Sequence, residues 1–164
     1  MFKFRNVKLE DLKEILNIEN KGFTPEEAAT EEALIERIEN INDTFIIAEI
    51  NEKIAGYVNG PVINQKYITD DLFESIGKNQ EQGGYIAILG LVVSENYRNQ
   101  GLAGNLLNEL EKLAKVNNRK GITLTCKSTL IPFYEKYGYV NYGISESEHG
   151  GIEWFNLIKE IALD

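Results

Sequence analysis

The chain of 164 residues has a single cysteine and a single histidine. One thiol, Cys126, cannot close an intramolecular disulfide, and neither a CxxC pair nor zinc-type ligand spacing is present, so no metal is expected. No apolar run approaches the roughly 20 residues needed to cross a bilayer. The opening "MFKFRNVKLEDL" carries a charge every two or three residues, so the apolar core of a secretory leader is missing too. A cytoplasmic setting without a membrane partner is the expectation. Positive charge is scarce: 17 lysines and arginines face 26 aspartates and glutamates, for a formal net charge of −9. General nucleic-acid binding, which depends on neutralising phosphates, is therefore disfavoured. Surplus acid keeps a protein soluble, and it also suits a cationic substrate such as a small amine.

What is present describes an ordinary globular chain. Apolar residues make up 43% and charged residues 26%, and the length suits one domain over 1–164 with its own core. With only three prolines and no repeat, linker or low-complexity tract, nothing divides it. Residues 2–7, "FKFRNV", alternate like a strand, and 9–20 place Leu9, Leu12, Ile15, Leu16 and Glu19 on one helical face. In "TPEEAATEEALIERIENI" a capping box is expected, with Thr24 as N-cap, Pro25 first in the helix and Glu27 three residues past the cap. "TFIIAEI" and "KIAGYVNGPVI" flank the turn "NEK" as a hairpin. Residues 64–82 read as a loop with a helical turn near Asp70. The run "GGYIAILGLVV" (83–93) predicts one continuous central strand buried on both faces. A helix from Gly101 to Asn117 carries the stripe Leu102, Leu106, Leu110 and Leu113. "GITLTC", a short helix in "LIPFYEKYG", and strands in "YVNYGI" and "IEWFNLIKEI" complete the order β-α-α-β-β-β-α-β-α-β-β. The fold class is α/β in the mixed sense, a twisted mixed sheet with helices on both faces.

Chemistry is expected where the central strand hands over to the long helix. The leading N–H groups of a helix lack intrahelical partners and carry the positive end of its dipole. Gly101 and Gly104 remove side chains there, which would let a phosphate approach the backbone. Arg98 adds a fixed charge with bidentate donors. A structural tight turn would explain the same glycines. Neither GxxxxGK[ST] nor GxGxxG is present. What stands there is Arg-x-x-Gly-x-Ala, from Arg98 to Ala103.

The run "LGLVVSENYRNQGLAGNLL" resembles the acetyl-CoA signature of the GNAT N-acetyltransferase superfamily, [Arg/Gln]-x-x-Gly-x-[Gly/Ala]. "CKSTLIPFYEKYGY" (126–139) is similar to the corresponding stretch of the arylalkylamine (serotonin-type) N-acetyltransferases, as are the "GG" before the central strand and "FTPEEAATEEAL". The resemblance covers nearly the whole chain. It implies that the backbone of Leu91, Val92 and Val93 pairs with the pantetheine arm of coenzyme A. It also implies that the N–H groups of Asn99, Gln100, Gly101, Leu102, Ala103 and Gly104, beside Arg98, hold the pyrophosphate. A splay between the central strand and "GITLTC" would admit the acetyl thioester and an amine. Dimers are common in the superfamily, so a homodimer is an open expectation.

Direct acetyl transfer needs a neutral amine, a polarised carbonyl and a proton for the departing thiolate. Tyr134, in Pro-Phe-Tyr, matches the family's general acid, and an ordinary tyrosine is protonated at neutral pH. Serotonin-type members carry two histidines on the central strand; Ala87 and Leu89 stand at those positions, so that relay is absent. Three groups are candidates for the base: His149 in "SESEHGG", Tyr85 on the face of Ala87 and Leu89, and Glu27. Each has a plain structural reading as well: an idle loop histidine, a packed strand tyrosine, a helix cap. Cys126 reads as core filler, because no base is paired with it in the sequence. Trp154 and Phe155 are expected to pack, one of them walling the amine pocket. The reading is an acetyl-CoA-dependent N-acetyltransferase acting on a primary amine, with a small one such as an arylalkylamine or polyamine favoured and a protein N-terminus or lysine left open. An acyl-CoA-binding sensor without turnover and a nucleotide-binding module are its rivals.

Overall fold

The computed structural model describes residues 1–147 and 151–161. Strand β1 (Lys3–Asn6) leads through a short 3-10 turn to helix α1 (Leu12–Gly22) and then α2 (Glu31–Asn40). Strands β2 (Phe45–Ile50), β3 (Lys53–Asn59) and β4 (Val62–Ile63) follow, then β5 (Tyr85–Ala87) and β6 (Gly90–Val93). Helix α3 (Leu102–Val116), strand β7 (Gly121–Cys126), helix α4 (Ile131–Lys136), and strands β8 (Val140–Ile144) and β9 (Phe155–Glu160) complete the chain. The mixed α/β class is as expected.

The sheet is in two parts. One runs β1-β2-β3-β6 and the other β4-β5-β7-β9-β8. Only β5 and β7 are parallel; every other pairing is antiparallel. The expected continuous strand over 83–93 is thus two strands in two sheets. Up to Ile88 the chain bonds β7, with the Ile88 N–H donating to the Thr123 carbonyl at 2.9 Å. At Leu89 the N–H goes instead to the Asn59 carbonyl, and Gly90–Val93 pair with β3 alone. β7 pairs with β9 along its whole length, Gly121–Cys126, but its register with β5 ends at Thr123. A V-shaped opening results, and among the described residues one edge of β6 has no strand partner. Gly60 stands opposite the break, and a Cβ there would overlap the Ala87 carbonyl oxygen.

Two cores lie on opposite faces of the first sheet. Phe45, Ile47, Ile54 and Tyr57 pack under α1 and α2, whereas Ile46, Ala48, Ala55 and Val58 pack against Leu102, Leu106 and Leu110 of α3. The faces exchange parity along β3 because a bulge places Ala48 opposite Gly56 but Glu49 opposite Ile54.

The expected capping box at Thr24 is not formed. Thr30 is the N-cap of α2, its Oγ accepting the Ala33 N–H at 3.1 Å. Thr24 instead opens a single turn in which its carbonyl accepts the N–H groups of Glu27 and Ala28. Both threonines precede acidic residues. The residues after Pro25 carry no large apolar side chain, so the helix starts where Ala33, Leu34 and Ile38 can face the core.

Candidate active site

Gly101 is the N-cap of α3 with φ 75° and ψ 12°, a left-handed conformation that a glycine adopts without strain. A Cβ there would meet nothing within 4 Å, so the approach is open. Asn99 is left-handed too, at φ 65°. The first intrahelical bond is Asn105 N–H to the Gly101 carbonyl, at 3.1 Å. Among the described residues, nothing accepts the N–H groups of Leu102, Ala103 or Gly104, and no side chain caps the helix. Exposed Arg98 stands beside them, its Nε donating to the Val93 carbonyl at 3.3 Å. The front of α3 and the end of β6 thus share one cleft of about 540 Å³, in which Lys136 adds a second cation. This geometry suits an anion: amides without a partner among the described residues, a helix dipole and two exposed cations border open space.

Gly104 has a different reason for being glycine than the one expected. A Cβ on it would overlap the Tyr137 hydroxyl, so the missing side chain makes room for Tyr137, which directly follows α4. Gly22 acts similarly at the other wall. A Cβ there would lie 2.8 Å from Val92 Cγ1, so the end of α1 rests closely on β6.

A second cavity of about 220 Å³ fills the opening between β6 and β7 and shares Gly22, Phe23 and Leu91 with the first. Tyr134 lies in its wall, 8% exposed, beside Cys126. No described residue forms a hydrogen bond with the Tyr134 hydroxyl. Burial, and then the neighbouring Cys126, push its pKa above the usual phenol value, so the proton is held firmly. Burial likewise pushes the Cys126 thiol up to about 11, which keeps it protonated and a poor nucleophile at neutral pH. Leu89 enters the cavity wall, whereas Ala87 does not.

The three candidate bases separate. Tyr85 does not line this cavity. It pairs with Gly121 at the far end of β5, and its hydroxyl donates to Glu160 at 3.1 Å. Burial and that carboxylate raise its pKa. His149 lies outside the described residues. Glu27 does line the cavity and forms an ion pair with Lys127 at 2.6 Å. The helix-capping reading of Glu27 is therefore replaced by a place in the cavity wall. Phe23, Phe73 and Trp154 supply its aromatic surface.

The sequence matches the Acetyltransferase (GNAT) family over residues 9–139. The chain belongs to this family. It is 23% identical over 151 residues to the uncharacterized N-acetyltransferase YjcF of Bacillus subtilis (strain 168), covering 92% of this chain and 94% of that protein. Among solved structures, the fold is similar to the GphF GNAT-like decarboxylase in complex with isobutyryl-CoA. There the TM-score is 0.82 and the identity 14%, over 96% of this chain and 98% of that one. It is also similar to Arabidopsis thaliana NAA60 in complex with a bisubstrate analogue, with TM-score 0.75 and 18% identity over the full length of both.

Sequence reasoning did not find Gly22, Phe23, Lys136 or Tyr137 in the first cavity, nor Phe73 and Lys127 in the second. Lys136 and Tyr137 carried a signal, since they follow Tyr134 within one helical turn. Phe73 carried none: it comes from the loop between β4 and β5, and only the folded chain brings it to the site. Among the described residues, no group of three or more His, Cys, Asp or Glu side chains is placed to hold a metal ion.

Proposed function

We propose that this GNAT chain moves the acetyl group of acetyl-CoA to a primary amine within a ternary complex. In this reading the pyrophosphate sits on the N–H groups of residues 99–104, with Arg98 alongside. The pantetheine arm runs along the unpaired edge of β6 at Leu91–Val93. The thioester reaches the opening where β6 and β7 part. There the amine nitrogen attacks the carbonyl carbon, the C–S bond breaks, and the Tyr134 hydroxyl gives its proton to the departing thiolate. The amine loses its own proton to a base, and Tyr134 is reprotonated from solvent.

One observation carries this reading: the open, partnerless amides of α3 and the unengaged Tyr134 hydroxyl border two joined cavities that meet at Leu91. Similarity of residues 126–139 to the arylalkylamine acetyltransferases supports a small amine over a protein one. The test is release of free thiol from acetyl-CoA against a panel of amines. Turnover with at least one primary amine is expected, and no turnover with any amine despite tight coenzyme binding would overturn it. That overturning result is what a second reading predicts, an acyl-CoA-binding domain without transfer. The absence of the paired histidines at Ala87 and Leu89 favours it.

A further inference from the structure

The wall of the second cavity contains one carboxylate and one ammonium among its described residues, Glu27 and Lys127, and they are paired with each other at 2.6 Å. The two are held very differently. Glu27 sits on the turn after α1, whose backbone is fixed by the Thr24 carbonyl on one side. On the other, the Ala29 N–H donates to the buried carboxylate of Glu19 at 2.8 Å. Its side chain is only 11% exposed. Lys127 directly follows β7, and its long arm is 41% exposed. The carboxylate is a fixture of the cavity, whereas the lysine arm lies partly in solvent, where water can receive its ammonium. When one cation replaces another there, the largely buried carboxylate is never left without a counter-charge, so the exchange avoids the cost of breaking the pair outright. Beside that carboxylate the walls are apolar and aromatic, from Phe23, Phe73 and Trp154.

We infer that Lys127 is a placeholder on Glu27, and that the acceptor's own ammonium takes its position when the acceptor binds. This deepens the acyl-transfer reading and rests on it, since it assigns the acceptor's recognition group within that cavity. Glu27 is then a specificity-determining residue that selects a cation over a neutral molecule of the same shape. Lys127 competes with the acceptor and sets how tightly it is held. A carboxylate placed next to the acceptor's amine would meet Glu27 with like charge, so acids are disfavoured. A purely structural ion pair makes a different prediction. Removing either partner would then loosen the turn against β7, and both removals would weaken acceptor binding alike.

The opposite signs make the test. Binding of benzylamine and of benzyl alcohol is followed by NMR titration on protein saturated with coenzyme A, where no transfer can occur. The proteins are wild type, Glu27→Gln, Glu27→Asp and Lys127→Met. Glu27→Gln is expected to weaken benzylamine about ten-fold or more, with Glu27→Asp between it and wild type. Lys127→Met is expected to tighten benzylamine several-fold, and benzyl alcohol should bind equally to wild type and Glu27→Gln. Weaker benzylamine binding in both Glu27→Gln and Lys127→Met, or no change in either, overturns the inference. Loss of coenzyme A binding by the wild type would instead overturn the acyl-transfer reading beneath it, and this inference with it.

Discussion

At the scale of single residues, the chemistry depends on which protons are held and which are free. Tyr134 is buried without a hydrogen-bond partner among the described residues, and its raised pKa keeps it an acid well beyond neutrality. Tyr134→Phe should lower kcat about a hundred-fold while leaving the coenzyme's Kd unchanged. Steady-state rates from pH 6 to 9, with a parallel binding titration, check this; an unchanged kcat removes Tyr134 as the acid. Cys126 supplies a second test. With its pKa pushed up from 9.0 to about 11, deprotonation needs more alkaline solution than for an ordinary thiol. At pH 8 roughly one thiol in a thousand is ionised, against about one in ten at the ordinary value. Iodoacetamide should therefore label Cys126 slowly in the folded protein and rapidly in denaturant, by mass spectrometry. Fast labelling of the folded protein would reopen a covalent route through this thiol.

At the scale of elements, the start of α2 and the start of α3 make the clearest predictions. Thr30→Ala removes a formed cap and should cost about 1 kcal/mol in denaturant unfolding, whereas Thr24→Ala should cost little. Equal costs would restore the earlier start of the helix. Gly101→Ala forces a side chain into a left-handed conformation, with an expected cost of about 1–2 kcal/mol and weaker coenzyme binding. These elements also show how far the sequence could be read. The Leu102–Leu106–Leu110 stripe, the β2–β3 hairpin and the Arg98–Ala103 run are local patterns, so the helix, the hairpin and an uncapped helix front beside Arg98 were legible. The split of "GGYIAILGLVV" was not, because an apolar run has the same composition whether it bonds one neighbour throughout or changes neighbours at Leu89. The exchange depends on Asn59 and Gly60, some thirty residues earlier in the chain. Glu27 illustrates the converse: its spacing from Thr24 fitted a capping box, but the cap requires a helix that residues 25–29 do not enter.

At the scale of the whole molecule, the same splay that divides the sheet opens the second cavity, which shares Gly22, Phe23 and Leu91 with the first. Net charge acts at this scale too. An acidic protein of charge −9 should gather cationic acceptors, and kcat/KM for a primary amine should fall as salt rises from 0.01 to 0.1 M. Over that range the screening length drops from about 30 to 10 Å. A flat salt profile would mean that the acid surplus serves solubility alone.

The central claim is that the front of α3, with Arg98, grips the diphosphate of a thioester carrier. Calorimetric titration of acetyl-CoA and of S-acetylpantetheine, which lacks the diphosphate, tests it most directly. The account predicts at least about a hundred-fold tighter binding of acetyl-CoA, and a markedly smaller gap in Arg98→Ala. Equal affinity of the two ligands for the wild-type protein would contradict it.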